Sequence, residues 1–122
     1  MASAASPTNC AKGEHYTWSG LNGMQSDGWH LVRVEDLSVI EERMPPGAAE
    51  VRHCHQRARQ FFYVLAGELT MEVSGQEHVL AAGNGIEISP GTWHQAMNLV
   101  SEDARFLVVS QPPSHGDRIV AA

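Results

Sequence analysis

Cysteine, basic residues and long apolar runs are all scarce in this sequence. Its 122 residues hold two cysteines, Cys10 and Cys54, too few for a disulfide framework. Cys10 lies in a polar leader and Cys54 between two histidines, so both read as reduced thiols of a cytoplasmic protein. Eight Lys and Arg stand against 14 Asp and Glu, a formal charge of −6. That balance argues against nucleic acid or an anionic membrane as a partner. No stretch approaches the ~20 apolar residues that cross a bilayer. The leader lacks the basic start and apolar block of a secretory signal. No sustained helical stripe and no internal repeat is found either.

What remains is enough for one hydrophobic core and too little for two. Hydrophobic residues make up 43% and charged residues 18%, as in ordinary globular proteins. The expected organisation is a flexible N-terminal arm over residues 1–14 and one domain over 15–122.

Within that domain, short β-rich runs recur between turn signals, the pattern of an all-β sandwich or barrel. The runs are His30 to Leu37, Ser38 to Met44, Gln60 to Leu65, Leu69 to Val73, His78 to Leu80, Ile86 to Ile88 and Arg105 to Ser110. Pro45-Pro46-Gly47, Ala66-Gly67, Ser74-Gly75, Gly83-Asn84-Gly85, Ser89-Pro90-Gly91 and Pro112-Pro113 separate or end them. Leu69, Met71 and Val73 alternate with Thr70 and Glu72, which gives one apolar and one polar face. The tail from Ser114 is polar and is expected to pack at an edge.

Chemistry concentrates in two places. His53 and His55 are two residues apart, so on a strand their imidazoles share a side and can close on one metal ion, while Cys54 points away. His94 follows the Ser89-Pro90-Gly91 turn and offers a third imidazole from a distant strand.

These two segments resemble the motifs of the cupin superfamily. Gly47, His53, His55, Gln60 and Gly67 fall on the spacing of the first motif, with Gln60 where the family usually has Glu. Gly83, Gly91, His94 and Asn98 fall on the second, with Ser89 in place of the usual Pro. The resemblance implies a cupin-type double-stranded β-helix, that is, a jelly-roll barrel. It also implies one divalent transition metal (Fe, Mn, Ni, Co, Cu or Zn) held by His53, His55, Gln60 and His94. Four neutral ligands leave the full 2+ charge on the ion, so it polarises a carbonyl more strongly, although the amide oxygen is a weaker donor than a carboxylate.

Arg43, Phe62, Val64, Trp93 and Asn98 are the candidates for lining a substrate pocket, with Arg52 and Glu87 near its mouth. Alternation places Phe62 and Val64 on the same side as Gln60. No general acid or base stands out. His15, His30, His78 and His115 read as surface or hydrogen-bonded residues, and the tail residues His115, Asp117 and Arg118, although able to fold back over a barrel opening, are not assigned to the site. Phe61 to Leu65 is apolar on both faces, and with the resemblance this leads to the expectation of a homodimer. Three functions fit the resemblance: a Lewis-acid isomerase or lyase on a small oxygen-rich substrate, a three-histidine dioxygenase, and a non-catalytic module binding a small ligand or metal.

Overall fold

A computed structural model describes residues 5–121; residues 1–4 of the expected arm lie outside the described residues. Eleven strands and no helix are found among them. In chain order they are β1 (Glu14–Ser19), β2 (Gln25–Val34), β3 (Leu37–Met44), β4 (His53–His55), β5 (Arg59–Ala66) and β6 (Glu68–Val73). β7 (Gln76–Ala81), β8 (Gly85–Ile88), β9 (His94–Met97), β10 (Ala104–Gln111) and β11 (Arg118–Val120) complete the set.

The strands form two antiparallel sheets, one in the order β1-β2-β3-β10-β5-β8 and the other β11-β4-β9-β6-β7. Alternation decides which residues lie between them. On β5, Gln60, Phe62 and Val64 are buried while Phe61, Tyr63 and Leu65 are exposed. On β10, Ala104, Phe106, Val108 and Ser110 turn inward. Met44, Val64, Leu69, Met71 and Phe106 are almost wholly removed from solvent, and burial of each contributes about 1.5–3 kcal/mol. These side chains fill one end of the space between the sheets. The other end is open and polar, and there the site lies.

Two close approaches hold the sheets in register. Gly67 has φ +76°, and a Cβ there would collide with the carbonyl oxygen of Asp103, so the β5–β6 turn needs glycine. Asn98 is fully buried. Its Nδ2 donates to the carbonyls of Met44 (2.9 Å) and Glu102 (2.8 Å), and its Oδ1 accepts from the Val100 N–H (3.1 Å).

The structure differs from the sequence expectation at several boundaries. The first expected run begins earlier, at Gln25, and turns at Glu35-Asp36 instead of after Leu37. β1 starts at Glu14, one residue inside the expected arm, and pairs with β2 along its whole length. The tail does reach an edge, as a strand: Arg118, Ile119 and Val120 pair with His55, Cys54 and His53.

Candidate metal centre

β4 is short and lies second from the edge of its sheet, held between β9 and the edge strand β11. His53 lies opposite His94 of β9 in register, and His55 is two residues on along the same face. This brings one ring nitrogen from each of His53, His55 and His94 within 4.8 Å of one another, with all three residues buried.

The hydrogen bonds decide which nitrogen each ring presents. His53 donates from Nδ1 to the Val51 carbonyl (2.7 Å), and His94 donates from Nδ1 to the Thr92 carbonyl (2.9 Å). His55 donates from Nδ1 to the Asp117 carboxylate (2.9 Å). With its proton on Nδ1, each imidazole is left with a lone pair on Nε2. The Nε2 of His94 is buried and has no hydrogen-bond partner, an arrangement that costs free energy unless something accepts the lone pair.

Burial favours the uncharged form of His53 and His94. It pushes the His53 imidazole down to about 4, outweighing the Val51 bond, and Arg118 and His55 add to the shift. It lowers His94 as well. Asp117 behaves oppositely. Burial alone would raise its carboxyl, but the N–H groups of Ala58 (2.9 Å) and Arg57 (3.0 Å), with His55, hold it below the usual range.

Gln60, on the facing sheet, lines the same cavity as His53 and His55. Its Nε2 donates to Ser110 Oγ (3.0 Å), while its Oε1 is buried without a partner. Three imidazole lone pairs and a fixed, unused amide oxygen are a donor set suited to a borderline divalent transition metal.

The cavity measures about 410 Å³. Trp18, Ile40, Phe62 and Val108 give it apolar walls, and Tyr16, Glu42, Glu50 and Arg118 bring polar groups to it. Glu50 accepts from the Ala96 N–H (3.0 Å), and burial raises its carboxyl despite the pull of His94.

Of the expected pocket residues, Phe62 lines this cavity. Val64 packs in the core and Asn98 ties loops together. Arg43 follows Glu42 on β3 and so faces outward, paired with Asp27 (2.7 Å) and Asp103 (3.3 Å). Trp93 lies beneath the Arg52 guanidinium, 5.8 Å from its ring centroid, and Arg52 is tied to Glu72. Glu87 pairs with Arg59 on the surface. Conversely, Asp117, left without a role above, is the buried partner of His55. Tyr16, Glu42 and Glu50 also belong to the cavity; the readable sign was Glu42 standing between Ile40 and Met44 on the inward face of β3.

A model of the cupin domain matches residues 40–110. The chain belongs to the cupin family. The cupin is 30% identical over 69 residues to a protein named polyketide synthase CurC from Streptomyces cyaneus, a match covering 57% of this chain and 45% of that one. It thus spans less than half the length of that relative. Its fold superposes on the polyketide cyclase RemF from Streptomyces resistomycificus with a TM-score of 0.82 at 18% identity, covering 98% of this cupin and 87% of the cyclase. A sugar phosphate isomerase from Silicibacter pomeroyi gives a TM-score of 0.76 at 23% identity, with coverage of 88% and 76%. At these identities the two solved structures establish the shared fold.

Proposed function

We propose that this cupin is a divalent-metal enzyme that enolises a small, uncharged, oxygen-rich carbonyl compound, in an isomerisation or an aldol-type ring closure with loss of water. The observation that carries this reading is the convergence of three Nε2 lone pairs beside a cavity that His53 and His55 line together with two carboxyls. A divalent ion on His53, His55 and His94, with Gln60 Oε1 as a further donor, supplies a Lewis acid that polarises a substrate carbonyl.

The chain's own residues set the rest. Burial holds the His53 and His94 imidazoles toward their neutral form. Glu42 and Glu50, whose carboxyls burial raises, offer hydrogen bonds to a neutral oxygen-rich substrate, while Arg118 is, among the described residues, the one lysine or arginine lining the cavity to meet an anionic group. The apolar wall of Ile40, Phe62 and Val108 suits a carbon skeleton and excludes water from a reacting enolate. Two relatives of polyketide name agree with an uncharged polycarbonyl substrate better than a sugar phosphate does.

The test is metal content followed by turnover. The purified protein is expected to hold roughly one equivalent of a transition metal, and His94→Ala to lose it. The loaded protein should convert a neutral poly-β-ketone and leave sugar phosphates untouched. Oxygen consumption in step with substrate loss would instead make it a dioxygenase. A protein that takes up no metal on reconstitution would end the reading.

A further inference from the structure

The cavity is faced by both sheets, and they contribute different chemistry. The histidines that line it, His53 and His55, come from β4, with His94 of β9 buried beside them, whereas the facing sheet contributes Glu42 from β3. Glu42 is not alone there. In register, Tyr16 of β1 lies opposite Gly28 of β2, and Gly28 lies opposite Glu42. The row therefore runs Tyr16, Gly28, Glu42 across three strands. Because Gly28 has no side chain, the Tyr16 ring lies across it, and a Cβ there would overlap Cζ and Oη of that ring. The phenol thereby reaches past one strand and donates to Glu42 Oε2 at 2.8 Å.

We propose that Glu42 is the catalytic acid–base of this cavity and that Tyr16, laid across the Gly28 gap, is its positioning residue. The substrate class is a neutral ketone with a removable hydrogen beside the carbonyl. This inference rests on the enolising function argued above. As a carboxylate, Glu42 takes a proton from the carbon next to the carbonyl; the C–H pair forms the C=C bond and the carbonyl π pair moves to oxygen. Return of the proton to carbon restores ketone and carboxylate, so no oxidant or co-reactant is needed. In D2O the carbon acquires deuterium.

The surroundings fit that role. The groups sharing the cavity with Glu42 are Tyr16 of β1, Glu50 before β4, His53 and His55 of β4, and Arg118 of β11. Its strand partners Gly28 and Phe106 bring no titratable group. Burial, and then Glu50, push the Glu42 carboxyl up to about 8, against the pull of Tyr16 and Trp18. The Trp18 indole N–H makes no hydrogen bond, yet lies near enough to favour the ionised form. A base poised near the operating pH combines a usable ionised fraction with strong proton affinity. Tyr16 itself stays a phenol, since burial and Glu42 raise it far above neutrality.

The experiment follows deuterium entry into dihydroxyacetone by proton NMR, using zinc-loaded protein in D2O. The parent should accelerate exchange, and Glu42→Gln should lose that acceleration by about 100-fold or more at unchanged zinc content. Tyr16→Phe removes a donor to the carboxylate, so the pH midpoint of exchange should move upward. Without zinc, the carboxyl carbon-13 resonance missing in Glu42→Gln should titrate near 8 and shift up in Tyr16→Phe. Parent-like exchange by zinc-bearing Glu42→Gln overturns the acid–base role and leaves the Lewis-acid function standing. No exchange by the loaded parent overturns both. If Glu42→Gln does not fold, the decision falls to Tyr16→Phe, where an unmoved midpoint overturns the proposal.

Discussion

Asp117 accepts three hydrogen bonds with one carboxylate: the His55 ring and the backbone N–H groups of Arg57 and Ala58. It thereby fixes the His55 ring and the loop behind it together. Removing such a partner of a ligating histidine typically costs 10–100-fold in metal affinity. Asp117→Ala is therefore expected to bind zinc 10- to 100-fold more weakly in a chelator competition, and to lose about 1–3 kcal/mol of stability from the stranded N–H groups. Glu42 has the opposite cost. Its carboxyl titrates near 8 when folded and near 4.3 when unfolded, so the folded state holds the extra proton between those values. The associated stability is full below about pH 4.3 and is lost as pH rises to about 8. Urea unfolding of metal-free protein should show Glu42→Gln gaining on the parent between pH 5 and 9, with the two converging in acid.

At the level of strands and turns, Asn98 joins the end of β3 to the loop between β9 and β10. Asn98→Ala leaves two buried carbonyls and one N–H without partners, a loss of about 2–4 kcal/mol. The folded fraction should keep its full metal content, because Asn98 does not touch the cavity. The same residue marks how far the sequence could be read. Its place in a motif was legible, and so was the convergence of His53, His55 and His94, because spacing along a strand dictates which side chains share a face. Phe62 followed from alternation once the motif resemblance had turned Gln60 inward. The function of Asn98 was not legible, since a hydrogen bond to a carbonyl 54 residues away leaves no trace in local pattern. β1 and β11 escaped notice for a related reason. Both are edge strands, short or with polar residues in a partly exposed row, so neither shows the apolar alternation that buried strands display. With β1 went Tyr16, and with β11 the register that carries Asp117 to His55.

Across the described residues the molecule is a two-sheet sandwich with interior and edge strands, and its stability should be graded accordingly. β3 and β10 lie inside the larger sheet with partners on both sides, while β1, β8, β7 and β11 form edges. Amide hydrogen exchange is expected to be slowest in β3 and β10 and fastest in the edges. Zinc should slow β4 and β9 selectively, since it joins those strands to each other. One further consequence follows from how the three rings are held. The bonds that orient His53 and His94 reach back only two residues, to Val51 and Thr92, and can form as soon as the local chain exists. The bond that orients His55 spans 62 residues. A chain emerging from the ribosome therefore carries two of the rings already aimed, while the third waits for Asp117. All three rings can be oriented only once the segment carrying Asp117 has been made and has paired with β4, so the proposed ion would be loaded onto a formed barrel rather than serve as the nucleus around which it folds.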